Sequence, residues 1–186
     1  MNQINNTLDT TINEPSMTAG EVEMLLFGLD RSRATFAWKV GGLDSAALNR
    51  PFPPSTMTIG GLIKHLALCE DSKVADFVTG EPIVAPWAGH DDPWEWGWET
   101  APTDTPEQLY SLWSGSVARA RAAWAKAIAN GGVEQPSAFK SESGWSPNLR
   151  RILVDLHDEY ARHVGHVDLM REAIDGLVGE DPPQPE

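Results

Sequence analysis

"NLRRILVDLHDEYARHVGHVDLMREAIDGL", Asn148 to Leu177, is the stretch on which the reading of this chain turns. It reads as the longest of several helices. His157, His163 and His166, three of the chain's five histidines, fall within it, interleaved with carboxylates. Two readings compete: a solvated charged helix that is rich in histidine, or a helix with one metal-binding face. At about 100° per residue, Glu159 and His163 are separated by about 40°, and Glu159 and His166 by about 20°. Glu159, His163 and His166 therefore share a stripe, whereas His157 lies about 120° away from His163. Residues one turn apart can offer two ligands to one ion, the spacing used in helical metal sites.

Two ligands from one helix leave a centre short of a third. Within "TIGGLIKHLALCEDSKVADFVTG", Thr58 to Gly80, His65 stands among Leu62, Ile63 and Leu66 in a core-facing neighbourhood. A buried histidine needs a partner, and a facing ligand set on the last helix would supply one. Cys69, one turn on, reads as an outer neighbour of such a site or as a small buried apolar residue. The residues alone leave both alternatives open: His65 as a satisfied core histidine, and His163 and His166 as part of a solvated face. His90 and His157 read as surface.

The remaining chain is organised around further helices. "SMTAGEVEMLLFGLDRSRATFAWKVGGLD" repeats Leu25, Leu29 and Phe36 at helical spacing and stops at Gly41-Gly42. Thr58 and Gly80 bound the second helix. "TPEQLYSLWSGSVARARAAWAKAIANGG" is a third, with Thr105 as N-cap, Pro106 in its first turn and Gly131-Gly132 at its close. No segment alternates as a strand. The expected architecture is all-α, a four-helix bundle with long connectors, over residues 17–178, with flexible tails at 1–16 and 179–186. Residues 81–105 are expected to form a long irregular loop, of the kind that often serves as a lid. Its tryptophans, Trp87, Trp94, Trp96 and Trp98, would fold aromatic surface onto the bundle's open end.

Composition narrows the function. A net charge of −13 and a single cysteine argue against nucleic-acid or anionic-membrane partners, an internal disulfide framework and multi-cysteine zinc sites. No apolar run approaches a membrane span. The polar start, "MNQINNTLDTTINEPS", lacks the marks of a signal peptide, so the expected compartment is the cytoplasm.

The G-G-L-x-x-H-L pattern at Gly60 to Leu66, the "RAT" run at Arg33 to Thr35, Leu149-Arg150 and the closing R-H-x-G-H-x-D-x-x-R-E-x-I-D-G together resemble the DinB-like superfamily, in particular its DUF664 branch common in actinobacteria. The closing motif is the most specific of these. The resemblance implies an up-down-down-up four-helix bundle holding a divalent metal, zinc or nickel, through three side chains. It puts the ligands at His65, Glu159 and His163, the Glu-containing version found in the mycothiol-dependent maleylpyruvate isomerase branch. His166 falls where many relatives carry Gln, and is expected to line the pocket or support a ligand. Asp155 stands where a histidine is often found, and is expected at most to support a ligand from outside. The implied chemistry is S-transfer or isomerisation with a low-molecular-weight thiol such as mycothiol as cosubstrate and a small electrophile as acceptor. A metal-dependent hydrolase, or a metal-binding stress protein without turnover, are the alternatives. Bundles of this kind often pair through helix faces, so a homodimer is a candidate assembly.

Overall fold

The computed structural model describes residues 8–184. Its elements are α1 (Glu21–Val40), a single turn α2 (Ser45–Leu48), α3 (Ile59–Lys73) continuing into a π-helical turn (Val74–Thr79), α4 (Pro93–Thr100), α5 (Pro106–Gly131) and α6 (Leu149–Asp175). There is no strand among the described residues, only one isolated bridge between Pro136 and Asn148. The fold is the all-α bundle expected, with α1, α3, α5 and α6 as its long members.

Local chemistry sets the helix ends. Thr58 accepts from Gly61 N at the start of α3. Thr105 forms a capping box with Gln108, and Pro106 occupies the first turn of α5. Asn148 caps α6, and Gly176, with φ of 80°, ends it in the left-handed conformation that glycine adopts freely.

Contacts at the helix ends fix their directions. At the start of α6, Arg150 pairs with Glu21 at the start of α1 (2.7 Å), and near their far ends Asp168 pairs with Lys39 (2.8 Å). These two helices run in the same sense. Asp71 near the end of α3 accepts from Ser116 on α5 (2.7 Å), and the starts of those helices meet at Gly60 and Leu109. The Tyr110 hydroxyl at the start of α5 donates to Val40 O at the end of α1 (2.8 Å), so α3 and α5 run opposite to α1 and α6. Parallel neighbours cannot be joined by a tight turn. The chain between α3 and α5 must travel back along a helix of about 22 Å, which is why that connector is long.

That connector differs from the expected irregular loop. It contains α4, capped by Asp92, which accepts from Trp94 N and Glu95 N, with Pro93 in the first turn. The alternation of "WEWGW" resembles an extended segment, but the cap and proline start a helix instead. The connector is also anchored. Trp87 is wholly buried, and its Nε1 donates to Asp71 (2.8 Å).

The core joins Leu29, Phe36 and Val40 of α1 to Leu62, Ile63 and Leu66 of α3, Trp113 and Trp124 of α5, and Leu156 and Tyr160 of α6. A charged pair crosses it. Arg33, from α1, donates to both oxygens of Glu70, from α3 (2.7 and 2.6 Å). Tyr160, from α6, donates to Glu70 (2.7 Å) and accepts from Trp113 Nε1, from α5 (2.9 Å). One residue from each long helix thus joins a chain of hydrogen bonds that runs through Glu70 and Tyr160. Burial opposes the charge on Arg33, but the Glu70 carboxylate more than offsets this and raises the guanidinium's pKa. Burial, aided by Glu70, raises Tyr160 well above its ordinary value and keeps it a donor.

The described parts of the two ends, expected as flexible tails, lie against the bundle. Leu8 is buried with the core, Gln184 donates to Thr10 O (3.1 Å) and accepts from Ile12 N (2.8 Å), and Arg31 grips Asp181 with two donors. Residues 1–7 and 185–186 of the expected tails lie outside the described residues. Arg31 holds the Asp181 carboxyl below its ordinary value. A carboxyl whose pKa is lower folded than unfolded adds stability above its unfolded value, near 3.9, and loses it as pH falls through the folded one. Acidification below about pH 4 is therefore expected to release the C-terminal segment before the bundle unfolds, read by hydrogen exchange at residues 177–184.

Candidate metal centre

The α3 helix presents Gly61, His65 and Cys69 at four-residue steps on one face. Glu70, on the adjoining face, is held by Arg33 and Tyr160, which fixes the rotation of α3 against α1 and α6. The His65 face is thereby turned toward the Glu159 stripe of α6.

His65, Glu159 and His163 each bring one potential ligand atom to a common point, all within 4.8 Å of one another. His65 Nε2 lies 3.6 Å and His163 Nε2 3.3 Å from Glu159 Oε2, and the imidazole rings stand edge to face with centroids 4.7 Å apart. Burial holds both imidazoles below their ordinary pKa, His163 down to about 4 with the neighbouring His65 adding to the effect. Burial outweighs the opposing pull of Glu159 on each. Both rings are neutral at physiological pH, each with a nitrogen lone pair to offer.

His65 has no strong partner of its own. Its Nδ1 is buried without a hydrogen bond, its Nε2 meets only Cys69 Sγ at 3.5 Å, and Glu159 lies beyond normal hydrogen-bond reach. Buried imidazole nitrogens such as this Nδ1 are rarely left so. A divalent cation among the three side chains would satisfy His65, and two neutral imidazoles with one carboxylate form a donor set that suits zinc-like ions. The residues present therefore fit such an ion.

His166 does not enter the trio. It touches His163 from behind, Nδ1 to Nδ1 at 3.2 Å, so one of the two atoms carries the shared proton. With that proton on His163, its Nε2 lone pair is left facing the centre. Cys69 is buried and its thiol is pushed up to about 12, first by burial and then by Glu159 and Glu70. Burial and the two carboxylates disfavour its thiolate. Asp155 is turned to Arg151 (2.8 Å), and His157 is exposed beside Gly28. His90 is exposed but stacks on Trp96, with centroids 4.1 Å apart.

A tryptophan wall closes one side. Trp94 and Trp98, four apart on α4, pack on His65 with centroid separations of 5.4 and 5.9 Å. Trp96 points away, toward Trp87 and Lys64. Lys64 pins α4 in place through Thr100 and Asp104 (2.6 Å each). The period-two spelling of these tryptophans hid which of them share a face, and the N-cap of Asp92 was the signal that could have revealed it.

Gly61 explains one glycine of the G-G-L-x-x-H-L pattern, because a Cβ there would lie 2.1 Å from Trp98 Cζ3. Gly61→Ala is expected to push Trp98 off His65 and cost about 1–3 kcal/mol. Metal content should be unchanged, and tryptophan emission should shift to the red. An unshifted spectrum at unaltered stability would show that Trp98 does not pack here.

Fold and site together define a class: an all-α bundle with a two-helix His, Glu, His cluster under an aromatic wall. The sequence profile of the mycothiol S-transferase family matches residues 24–176, and the chain belongs to that DinB-like family. No curated protein matches the chain. Among the described residues no helix is long and apolar enough to cross a membrane.

Proposed function

We propose that the protein is a metal-dependent thiol transferase in which His65, Glu159 and His163 hold a divalent cation, zinc or nickel, and a low-molecular-weight thiol of the mycothiol kind is joined through its sulfur to a small electrophile. The observation that carries this reading is the convergence of the three donor atoms within 4.8 Å in a chain of the mycothiol S-transferase family. A cation bound there supplies positive charge that favours the deprotonated form of a coordinating thiol.

The chain's residues do the rest. The neutral rings of His65 and His163 donate lone pairs, and Glu159 contributes a carboxylate. His166 orients His163 through its Nδ1. Trp94 and Trp98 exclude water from one side and offer an apolar surface to an electrophile. The acidic, single-cysteine composition accords with a protein that acts on small molecules in the cytoplasm rather than on nucleic acid or membranes.

The test is conjugation of monochlorobimane by metal-loaded protein with and without mycothiol, alongside the spectrum of cobalt-substituted protein on thiol addition. Thiol-dependent conjugation with a thiol-induced spectral shift is expected. Ester or amide turnover that ignores thiol, with no shift, would overturn the reading in favour of a hydrolase. Metal binding with neither activity would leave a binding protein.

A further inference from the structure

The face of α3 that carries the centre continues past it. Gly61, His65 and Cys69 follow one another at four-residue steps, and the next step is Lys73. Cys69 Sγ lies 3.5 Å from His65 Nε2, and the Lys73 charge acts on Cys69, where it opposes Glu159 and Glu70. Lys73 therefore stands beyond Cys69, about 12 Å along the axis from His65, on the side away from Gly61 and Trp98. The centre has an aromatic wall on one side and an ammonium on the other.

Lys73 has no anion of its own. Among the described residues Arg50, Lys73, Lys126, Lys140 and Arg162 are the cations that pair with no carboxylate. The other four are exposed, whereas Lys73 is part-buried. Its ammonium sits 5.2 Å from the Phe77 ring centroid and makes no hydrogen bond. Asp155, one turn before Glu159 on α6, is taken by Arg151 (2.8 Å). The helix dipole favours a cation at the end of α3, but an exposed lysine would serve that as well. A part-buried ammonium left without a carboxylate, in a chain of net charge −13, is a ready partner for an anion that comes from outside.

We propose that Lys73 holds a carboxylate of the electrophile, so that the site prefers acceptors bearing one acid group several bonds from the reacting carbon. The proposal rests on the thiol-transfer reading above. With the reacting carbon at the His65, Glu159 and His163 centre, the acid lies along α3, past Cys69, at the ammonium. One ammonium offsets one negative charge, and a second acid would meet the acidic chain uncompensated.

The experiment is calorimetric titration of the metal-loaded chain with para-toluate and para-toluamide, which lack a leaving group and so report binding apart from turnover. Para-toluate is expected to bind about tenfold more tightly than the amide. Lys73→Met is expected to bring para-toluate down to the amide's affinity, and Lys73→Arg to restore most of the difference. Added salt should narrow it in the natural chain. Equal affinity of the natural chain for the two ligands, no binding of para-toluate, or an equal loss of both in Lys73→Met would overturn the proposal. So would a preference for para-toluate that survives Lys73→Met, since the acid would then sit on the ion. The two readings fail separately. Conjugation is followed with mycothiol and para-(chloromethyl)benzoate or its amide: the sulfur bonds to the chloromethyl carbon, the C–Cl bond breaks, chloride leaves with the electron pair, and the thiol proton passes to solvent. Should the binding pattern hold while neither chloride is conjugated, the Lys73 subsite stands and the transferase reading falls. Should both chlorides be conjugated with the same kcat/KM, before and after Lys73→Met, the transferase reading stands and the Lys73 proposal falls.

Discussion

His163→Ala is expected to reduce metal content after dialysis from about one ion per chain to a small fraction of that, with an affinity loss of at least about 100-fold. His163 is the best-placed donor of the trio: 8% exposed, with Nε2 toward Glu159 and Nδ1 backed by His166. His65→Ala should do the same from the opposite helix. A second readout separates lost ligation from lost folding. An ion at 100 times its Kd stabilises the folded protein by about 2.7 kcal/mol, so added zinc should raise the Tm of the natural chain and leave that of His163→Ala unmoved. His166→Ala, which removes only the support behind His163, should cost about 10- to 100-fold in affinity. Asp155→Ala, whose side chain is paired with Arg151, should cost nothing measurable. Full metal in either His65→Ala or His163→Ala would sink the centre. Metal kept by Glu159→Ala and lost by His166→Ala would move it one turn along α6.

The second large effect lies in the core. Arg33→Ala would leave Glu70, which is 0% exposed, facing Tyr160 without a cation. Breaking one side of a buried ion pair costs about 3–5 kcal/mol, which for a chain of this length lowers Tm by about 10 °C. Tyr160→Phe removes a single hydrogen bond and leaves the ion pair, so about 1 kcal/mol is expected. Replacing both charged partners, Arg33→Met with Glu70→Leu, should recover much of the single-variant loss, because no unpaired charge then remains. Thermal unfolding of the four chains, metal-free so that the centre does not contribute, decides it. An Arg33→Ala loss below about 1 kcal/mol would mean that water reaches Glu70. Since the pair sets the rotation of α3, the metal-loaded Arg33→Ala protein should also bind its ion more weakly.

How legible was this in the sequence? The long helices, their caps and their stops could be read because each signal is local: Thr58, Thr105 with Pro106, Asn148 and Gly176 act within one turn of themselves. The stripe holding Glu159, His163 and His166 was likewise a matter of helical angle. The same arithmetic could not separate a ligand from its neighbour. Glu159 and His166 lie closer in angle than Glu159 and His163, yet it is His163 that meets Glu159, while His166 stands behind it. A two-turn rise along the axis decides that, and angle alone ignores rise.

What only the tertiary structure decided is what depends on a partner far along the chain. His65 is a candidate ligand because Arg33, Glu70 and Tyr160 turn α3 so that His65 meets α6, some ninety residues on. The aromatic wall exists because Asp92 starts a helix in a stretch spelled like an alternating segment, and because Asp71 and Lys64 dock it over Gly61. The chain's ends read as loose by composition, yet Leu8, Asp181 and Gln184 find partners on the bundle and on each other. The sequence by itself determined an all-α chain, its helix limits and the residue types able to bind a metal, since those follow from interactions within a turn or two. The meeting of His65 with Glu159 and His163, and the packing of Trp98 on His65, came from long-range packing, whose geometry no local pattern encodes.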